Sequence, residues 1–421
     1  MGLMRSLYTL IFHLILPLIL LRLYWRGFKA PMYRLRWQER LGRYRDQSAG
    51  DVVWFHAVSV GEAEALFPLI RYLQTQQPDW QFLVTTTTPT GSARVQAVLA
   101  GQVEHVYLPY DLPMIIHRFL AHFRPRMAVM LEKEIWPNLF AACAQQYIPL
   151  YIINARLSAR SARAYQKIPG LVLPALSAVT SIATQTKEDK QHFIAIGASQ
   201  QQLQVLGNIK FDLTIDQSLS KEGRSLKQAL FAGRFVWLVA STHQGEELVF
   251  VDSYRQLKAS MPELLLLIVP RHPERFGQVK VLCEQQSLQV VMRSQQQAVT
   301  SETDVYIADS IGELKLLYAA ADLAFVGGSM VAVGGHNVLE PAAIGVPILF
   351  GPEMFNFKEI AQQILQADAA IQCHSQAEIV ETVLRLYRQP ELANKLVSNA
   401  HGFVVANQGA TQQIADMLMT N

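Results

Sequence analysis

The amino-acid sequence predicts an α/β protein in which two facing, Rossmann-like, doubly wound domains follow an N-terminal membrane-anchor helix. Its 421 residues are enough for two domains of ordinary size. Along both halves of the chain, short apolar runs alternate with amphipathic segments, which is the pattern of buried parallel strands joined by helices. A hydrophobic stretch followed by a basic cluster precedes the first of these runs.

The composition indicates a folded chain in a reducing compartment. Half of the residues are hydrophobic and 17% are charged, which is typical of a protein that folds throughout. The three cysteines (Cys143, Cys283 and Cys373) are odd in number and far apart, so we predict neither a disulfide framework nor a cysteine-based metal site. The net charge of +3 is small, and we expect no nucleic-acid partner.

The hydrophobic stretch predicts the membrane anchor. Residues 6–21 carry no formal charge, whereas a spanning helix needs about 17–25 apolar residues. Tyr24, Trp25 and the neighbouring arginines would extend the stretch to the membrane interfaces. A helix lying in the interface is the open alternative, and a cleaved signal peptide is disfavoured because arginines rather than small residues follow.

The basic cluster sets the predicted orientation, since positive residues remain on the cytoplasmic side. Its members are Arg22, Arg26, Lys29, Arg34, Arg36, Arg40, Arg43 and Arg45. Glu39 is the only acid among them. We therefore predict that residues 1–28 attach the chain to a membrane and that the body is cytoplasmic.

The first half predicts a doubly wound domain over residues 29–212. Its predicted strands are 52–57, 82–86, 127–131, 150–153, 179–184 and 203–206. Its predicted helices are 63–76, 91–100, 112–123 and 137–146. The apolar runs lack polar alternation, which indicates strands buried on both faces.

The second half repeats this alternation over residues 213–421. Its predicted strands are 236–240, 264–269, 290–292, 305–308, 323–326 and 347–350. Its predicted helices are 245–259, 274–285, 312–319, 339–343 and 358–366. The polar, weakly patterned stretch 212–233 is taken as the domain boundary, and the last helix is allowed to pack back on the N-terminal domain.

Polar loops follow the predicted strands of the first half, where doubly wound sheets bind ligands. Glu62 puts a carboxylate at a strand-to-helix turn, where it is able to take a proton from a hydroxyl. Ser59 and Glu62 also have the spacing of a capping box. The segment 85–92 suits either a phosphate or an ordinary capped turn. Glu132 ends a buried strand, where a charge is costly, and Lys210 can neutralise an anion.

The second half has four such loops, which together favour a ligand site over four independent turns. The segments 241–247 and 309–314 each lead from a strand into a helix, where free amides can hold a phosphate. Arg271 can reach a phosphate or a pyrimidine edge. Asn337 and Glu340 suit ribose hydroxyls, although their spacing also fits a helix cap. The chain contains no Asp-x-Asp motif, and no histidine cluster accompanies the pair Glu132 and Glu134, so no metal is expected.

These motifs, read in order, resemble those of the bacterial transferases of 3-deoxy-D-manno-oct-2-ulosonic acid (Kdo). The motifs are HAVSVGE, TTTTPTGS, EKEIWPN, NARLSARS, GNIKFD, STHQGEE, PRHPERF and GGHNVLEPAA. The resemblance implies a glycosyltransferase-B fold with an acceptor-binding N-terminal domain and a CMP-Kdo-binding C-terminal domain. It also implies an inverting, metal-independent and cofactor-free transfer to the 6′-hydroxyl of a tetraacylated lipid A precursor, lipid IVA, at the cytoplasmic face of the inner membrane.

The resemblance also assigns residues by motif. Glu62 becomes the general base, and Glu132 and Lys210 help to stabilise the transition state. The implied CMP-Kdo contacts are Pro270, Arg271, Ile311, Gly312, Glu313, Asn337, Val338, Leu339 and Glu340. Lys133 stands where the family often has threonine, and it receives no role. We further expect the basic segment, including Arg36, Arg40 and Arg43, to bind acidic lipids of the inner membrane and the anionic acceptor.

Two other functions remain as alternatives. The same fold would serve another nucleotide-sugar transferase or a UDP-sugar epimerase, and binding of CMP-Kdo against a UDP-sugar separates these from a Kdo transferase. A non-catalytic membrane scaffold, in which Glu62 is only a cap, predicts that Glu62→Ala lowers stability by about 0.5–2 kcal/mol with no activity to lose.

Overall fold

The computed structural model describes residues 2–44, 50–213, 215–216 and 218–420, apart from the side chain of Lys29. These residues form two compact units, Met1–Asp212 with Gln408–Asn421, and Leu213–Asn407. Arg45, the last residue of the basic cluster, lies outside the described residues.

The first unit is built on a parallel sheet of seven strands. The strands are β1 (Val52–His56), β2 (Gln81–Thr86), β3 (Glu104–Tyr107), β4 (Met127–Leu131), β5 (Leu150–Ala155), β6 (Ser181–Thr184) and β7 (Leu203–Val205). The helices are α1 (Leu3–Lys29), α2 (Val60–Gln76), α3 (Pro89–Leu99), α4 (Pro113–Phe123), α5 (Pro137–Gln145), α6 (Ala159–Tyr165), α7 (Pro169–Ser177) and α8 (Lys187–Ala195). The strand order β3-β2-β1-β4-β5-β6-β7 is doubly wound, with the chain reversing direction across the sheet between β1 and β4.

Apolar side chains cover both faces of this sheet. Trp54 of β1 packs in one core, while its neighbours Val53 and Phe55 pack in the core on the other face. The indole N–H of Trp54 donates to Thr85 Oγ1 (2.9 Å), which satisfies a buried donor. Burial of both faces explains why β1 reads as a continuous apolar run rather than an alternating one.

The second unit repeats the architecture with its own seven-stranded parallel sheet. The strands are β8 (Phe235–Thr242), β9 (Leu264–Pro270), β10 (Val290–Met292), β11 (Val305–Ile307), β12 (Leu323–Val326), β13 (Ile348–Phe350) and β14 (Ile371–Gln372). The helices are α9 (Leu219–Phe231), α10 (Glu247–Lys258), α11 (Phe276–Gln285), α12 (Leu314–Ala320), α13 (Leu339–Ile344), α14 (Lys358–Gln366), α15 (Gln376–Arg388) and α16 (Pro390–Ala406). The order is β10-β11-β9-β8-β12-β13-β14, and it reverses between β8 and β12.

The C-terminal helix α17 (Ala410–Thr420) belongs to the first unit. The carboxylate of Asp212 accepts hydrogen bonds from the backbone N–H groups of Gly409 (2.7 Å) and Thr411 (2.5 Å). Leu418 is fully buried in the same core as Phe55. The helix therefore adds apolar surface to the first unit although it follows the second unit in sequence.

The two sheets confirm the predicted α/β fold class. The helices α6, α7, α8, α15 and α16 were not among the predicted helices. The strands β3 and β14 were not predicted, because each is short and contains no continuous apolar run. The predicted polar linker 212–233 contains α9, which packs against α12. Gly223 allows that packing, since a Cβ there would lie 2.4 Å from the Cβ of Ala319.

In the part of the chain that the structure describes, one helix is long and apolar enough to cross a membrane, over Leu3–Phe28. It lies near the N-terminus and coincides with the predicted anchor. Its length and composition are compatible with attachment to a membrane.

Candidate catalytic and nucleotide-binding sites

The polar loops of each unit lie at the carboxyl ends of its strands. In the first unit, β1 and β4 are neighbours at the reversal of strand order, and Glu62 and Glu132 follow them. In the second unit, β8 and β12 occupy the corresponding place, and the segments 241–247 and 327–340 follow them. Open α/β sheets bind ligands at this point, because the diverging connections leave a crevice there.

Glu62 is held in one orientation by the loop that precedes α2. Its Oε2 accepts the N–H of Val58 (2.8 Å), and its Oε1 accepts the hydroxyl of Ser59 (3.2 Å). Ser59 in turn caps α2, since its Oγ accepts the N–H of Glu62 (3.3 Å). The predicted capping residue is thus present, but the Glu62 carboxyl bonds the residue before the cap rather than the cap's own N–H. In a reciprocal capping box it would bond the cap residue itself.

The carboxyl of Glu62 is poised to exchange a proton near neutral pH. Burial raises its pKa from 4.5 to about 7, and the neighbouring carboxylate of Glu132 acts in the same direction. The hydrogen bonds from Val58 and Ser59 oppose this shift because they favour the charged form. A carboxylate with a pKa near the working pH is suited to act as a general base. The adjacent Gly61 leaves open space beside it, with no atom within 4 Å of a Cβ built there.

Glu132 and Lys210 form a half-buried ion pair. Lys210 Nζ lies 3.0 Å from Glu132 Oε1, with the side chains 24% and 18% exposed. Glu132 has a left-handed backbone with φ of 59°, an uncommon conformation for a residue other than glycine. The pair lies at the edge of the sheet, and its Glu132 carboxylate is within electrostatic reach of Glu62.

A buried amide side chain positions Lys210. Asn154, fully buried at the end of β5, accepts the N–H of Ile209 through Oδ1 (3.2 Å). Asn208 Oδ1 accepts the N–H of Lys210 itself (3.0 Å). Gln185 joins the two, since its Oε1 accepts from Asn208 Nδ2 (3.0 Å) and its Nε2 donates to the Asn154 carbonyl (2.9 Å). The loop that carries Lys210 is therefore fixed by side chains of the sheet edge.

The basic segment reaches the same edge from the other side. Arg40 is buried, donates to the carbonyl of Thr87 (2.8 Å), and lies over the Tyr107 ring at 4.2 Å. Thr87 Oγ1 donates to the carbonyl of Val58 (2.9 Å), whose N–H holds Glu62. One chain of hydrogen bonds thus links the basic segment to the proposed base.

The expectation that Arg36, Arg40 and Arg43 bind acidic lipids and the anionic acceptor stays a prediction, and the structure shows where each of the three side chains lies. Arg36 pairs with Glu39 (2.6 Å) and donates to the carbonyl of His105 (2.5 Å). Arg40 is 7% exposed. Only Arg43 of the three is exposed. The spacing of the three residues did not show that Arg36 and Arg40 bond to the first unit, because their partners His105 and Thr87 are far away in sequence.

The threonine-rich loop after β2 has a structural role at its end. Thr88 caps α3, since its Oγ1 accepts the N–H of Gly91 (3.1 Å). Thr86 Oγ1 lies 3.1 Å from His105 Nε2. The capped turn, one of the two interpretations of this segment, is therefore present.

In the second unit, the buried carboxylate of Glu246 joins two loops. It accepts four backbone N–H groups: His243 (2.9 Å) and Gly328 (2.7 Å) on Oε2, and Ser329 (3.0 Å) and Met330 (2.9 Å) on Oε1. Burial raises the pKa of this carboxyl, and the four amides oppose the rise. The loops after β8 and β12 are thereby held together by one side chain.

Glycines bring these loops close to each other. The N–H of Gly327 donates to the carbonyl of Ala240 (2.7 Å), and a Cβ at Gly327 would lie 2.7 Å from that oxygen. Gly335 has φ of 71°, and its N–H donates to the carbonyl of Gly328 (2.7 Å). Any larger residue at Gly327 would push β12 away from β8.

Three histidines line the same loops. The Nε2 atoms of His243 and His336 lie 2.8 Å apart with nearly parallel rings, and the ring of His272 is close to perpendicular to that of His243 at 5.2 Å. Burial and the neighbouring His243 and Arg271 lower the pKa of His336 to about 3, and burial also lowers that of His243. The pair is therefore neutral at physiological pH and offers a hydrogen bond rather than a charge.

The structure places the expected CMP-Kdo contacts on three strand ends. Pro270 ends β9, and the following Arg271 is exposed, with its N–H donating to the carbonyl of Thr242 (3.0 Å). Ile311 is 81% exposed, and Gly312 has φ of 92°. The carboxylate of Glu313 instead forms a bidentate pair with Arg293 (2.5 and 2.6 Å), which lowers its pKa.

The remaining expected contacts surround the start of α13. Asn337 Oδ1 accepts the N–H of Leu339 (3.0 Å), so this side chain stabilises the turn before the helix. Val338 and Leu339 are buried, which leaves only their backbone groups to face a ligand. Glu340 is half-buried in the first turn. Val338 occupies the N-cap position and its side chain forms no capping hydrogen bond, whereas Asn337 satisfies the N–H of Leu339, the first residue of α13, so the capping role read for Asn337 is present.

Residues that the sequence did not single out hold both edges together. They are Asn154 in the first unit, and Glu246 and Arg293 in the second. A buried polar residue next to a strand end is the one signal available for Asn154 and Glu246. Within the described residues, no three His, Cys, Asp or Glu side chains are grouped so that they hold a metal ion.

The two doubly wound sheets and their strand-end loops place the protein in the glycosyltransferase-B fold class. A crystal structure of UDP-GlcNAc 2-epimerase from Neisseria meningitidis is similar, with a TM-score of 0.58 and 16% identity over 88% of this chain and 100% of that one. A glycosyltransferase from Rickettsia africae has a TM-score of 0.56 and 12% identity, covering 89% of this chain and 100% of that one. At such identities, these likenesses show the fold alone.

Sequence relatives narrow the class to one family. Residues 35–213 match the family described as 3-deoxy-D-manno-octulosonic-acid transferase (kdotransferase). The 3-deoxy-D-manno-octulosonic acid transferases of Haemophilus influenzae and Bordetella pertussis are 39% and 34% identical, each over 98% of both chains. The chain therefore belongs to the Kdo transferase family of glycosyltransferases, and the resemblance read from its motifs is confirmed.

Proposed function

We propose that this protein transfers Kdo from CMP-Kdo to the 6′-hydroxyl of a tetraacylated lipid A precursor, lipid IVA, in lipopolysaccharide biosynthesis. The transfer inverts the anomeric centre and uses neither a metal nor another cofactor. One observation carries the proposal: the oriented Glu62 carboxyl, whose pKa is raised to about 7 at the reversal point of the first sheet. Family membership supports Kdo as the transferred sugar.

In the proposed step, Glu62 takes the proton of the 6′-hydroxyl as that oxygen attacks the anomeric carbon of Kdo. The new C–O bond forms on the face opposite the phosphate. The bond between the anomeric carbon and the phosphate oxygen breaks, and CMP leaves with the electron pair. General base catalysis of this kind contributes about 10²–10⁴-fold to a rate. Because the pKa of Glu62 is about 7, an appreciable fraction of the carboxyl is ionised at neutral pH.

Glu132 and Lys210 are proposed to stabilise the transition state. Lys210 is fixed through Asn208 and paired to Glu132, so its charge needs little reorganisation during the reaction. Preorganised charge in a half-buried site contributes more than the same charge in water. Lys210 would offset negative charge that develops on the leaving phosphate.

The second unit is proposed to bind CMP-Kdo. Arg271 supplies an exposed guanidinium for the phosphate or the cytosine edge. The backbone of Pro270, Ile311, Gly312, Val338 and Leu339 supplies amides and carbonyls at strand ends and turns. Asn337 and Glu340 lie at the start of a helix, where ribose hydroxyls find polar partners. Glu313 would act through its backbone, because its carboxylate is paired with Arg293.

The protein is proposed to attach to the inner membrane through α1, with its body on the cytoplasmic side. The apolar helix Leu3–Phe28 supports attachment. Arg22 and Arg26 are exposed near its C-terminal end, and each such residue gains about 1 kcal/mol next to an anionic leaflet. Arg36 and Arg40 do not contribute, because both are bonded inside the first unit.

Product mass tests the proposal. Purified protein is incubated with lipid IVA and CMP-Kdo, and the products are weighed by mass spectrometry. A gain of one or more Kdo units is expected, and a folded Glu62→Ala variant should give none. Glu64→Gln is the matched control, because Glu64 lies on the same helix in a surface pair with Arg94. No gain with CMP-Kdo, or binding of UDP-GlcNAc in its place, would assign the protein to another reaction of this fold.

A further inference from the structure

The N-terminal third of α1 is bound to the folded body of the first unit. Thr9 Oγ1 donates to Asn138 Oδ1 (3.1 Å), and Asn138 Nδ2 lies 3.0 Å from the same hydroxyl. The rings of Phe12 and Tyr110 lie 6.3 Å apart. These contacts are made with the loop before α4 and with the start of α5, which are integral parts of the domain.

The partner of Thr9 belongs to a rigid, buried network. Asn138 is 3% exposed, and its Nδ2 also donates to the backbone carbonyl of Asp111 (2.9 Å). The carboxylate of Asp111 caps α5 by accepting the N–H groups of Asn138 (3.1 Å) and Leu139 (2.8 Å). The N-terminal end of α1 also lies close to α7, since a Cβ on Gly170 would lie 2.7 Å from Met4 Cγ. The contact surface for α1 is thus part of the fold.

A single stripe of α1 is shielded along its whole length, and the opposite face is open. The partly or fully shielded residues recur every three or four positions, as expected for one face of a helix. They are Arg5, Tyr8, Thr9, Phe12, Leu16, Ile19, Leu20, Leu23 and Gly27. The exposed apolar residues lie between them and include Leu3 (85%), Leu14 (70%), Leu18 (64%) and Trp25 (69%).

A spanning helix is incompatible with these contacts. The body follows the C-terminal end of α1, so a span would carry the N-terminal end about 30 Å away, to the opposite surface of the membrane. Thr9, Phe12 and Met4 would then be separated from Asn138, Tyr110 and Gly170. The alternative, drawing α5 and its buried Asp111 into hydrocarbon, places a charged cap where no water can solvate it.

We propose that α1 is monotopic: it lies along the body and inserts its open apolar face into the surface of a lipid bilayer without crossing it. The proposal deepens the proposed membrane attachment and rests on it. The occupant is a lipid surface because α1 also carries exposed Arg22 and Arg26, which match an anionic leaflet, and exposed Tyr24 and Trp25, which suit the interface. Two more exposed apolar residues extend the same surface beside Met4: Ile168, which precedes α7, and Leu173, which lies on α7.

Labelling of single cysteines tests the topology. Gly2→Cys reports the end of α1, and Leu248→Cys, on α10, reports the side of the body. A membrane-impermeant maleimide is applied to spheroplasts and to inverted vesicles from cells that make the full chain. The unsubstituted protein gives the background, since its cysteines are buried. Both substituted positions should react in inverted vesicles and remain protected in spheroplasts.

Reaction of Gly2→Cys in spheroplasts, or its protection in both preparations, overturns the proposal. Leu14→Cys, on the open face, should be protected in both preparations and react once detergent is added. Its reaction in inverted vesicles without detergent would mean that lipid does not cover the face, and this also overturns the proposal. The readout is independent of catalysis, so a loss of the proposed transferase activity would not change it.

Discussion

The carboxyl edges of the two sheets use charge in opposite ways. In the first unit, Glu62 has a pKa raised to about 7, and Lys210 stands beside a half-buried Glu132. In the second unit, the carboxylate of Glu246 is bonded to four backbone N–H groups, and Glu313 is paired bidentately with Arg293. The first edge presents side chains that can react, whereas the side chains of the second edge hold the backbone of its loops in place.

This difference divides the expected effects of mutation. A carboxyl close to its pKa is used for proton transfer, so its removal lowers kcat. A carboxylate that accepts four amides holds a binding surface, so its removal weakens donor binding and stability. The predictions below test this division, beginning with the largest expected effect.

Glu62→Gln should reduce kcat by about 10²–10⁴-fold, because it removes the proton acceptor while keeping the size of the side chain. The KM for CMP-Kdo should change by less than about threefold. Steady-state kinetics at saturating lipid IVA measure both constants. Glu64→Gln, an exposed position on the same helix, should retain normal kcat. Normal kcat in the Glu62→Gln enzyme would mean that Glu62 only stabilises its loop and is not the general base.

Glu132→Gln and Lys210→Met should each reduce kcat by about 10²-fold, a typical loss for one preorganised charge. The double variant should fall little further, because the two groups act as one unit at 3.0 Å. A double-mutant cycle on kcat measures the coupling. Lys227→Met is the control. It breaks the ion pair with Asp322, which directly precedes β12 in the second unit, and it should lower stability only. Fully additive losses from the two single variants would contradict a shared role.

The central part of the fold was predictable because its physics is local. Strands buried on both faces, such as β1 and β9, read as apolar runs, and glycine or polar residues mark where each ends. The strands β3 (Glu104–Tyr107) and β14 (Ile371–Gln372) were missed because each is short and contains no continuous apolar run. The helix α9 was missed because its polar residues hide a narrow buried face around Gly223 and Phe231.

The candidate site was predictable in part, since its loops follow strands and its motifs resemble one family. The partners of its residues were not. Arg40 turns inward to Thr87, and Asn154 fixes the loop of Lys210, through contacts between residues far apart in sequence. The raised pKa of Glu62 depends on burial and on Glu132, neither of which its own motif contains. Spacing therefore indicates which residues share an edge, and packing decides what each one does.

Glu246→Gln should raise the KM for CMP-Kdo by about tenfold and change kcat by less than about threefold. The amide has one acceptor oxygen in place of two, so at least one buried N–H loses its partner, at about 1–3 kcal/mol. Thermal unfolding and donor-dependent kinetics measure the two effects. Glu284→Gln, in an exposed pair with Lys280, is the control for lost charge in the same unit. A fall in kcat at unchanged donor KM would place Glu246 in the chemistry and remove the contrast between the edges.

The effect expected on stability alone is a pH-dependent gain from Glu62→Gln. The pKa of Glu62 in the folded protein, about 7, is above its ordinary value of 4.5, so folding favours the protonated carboxyl. Wild-type stability therefore falls as the pH rises from about 4.5 through 7, as the ionised carboxylate must be held in a half-buried site.

The glutamine side chain introduced by this substitution cannot ionise, so the variant escapes that loss. Its unfolding free energy relative to the wild type should rise by about 2 kcal/mol between pH 5 and pH 8. Denaturant unfolding of both proteins at the two pH values measures the difference, and Glu64→Gln should show no such trend. A constant difference would mean that Glu62 is ionised throughout this range. The reactive edge would then differ from the binding edge in geometry alone, and not in the protonation of its carboxyl.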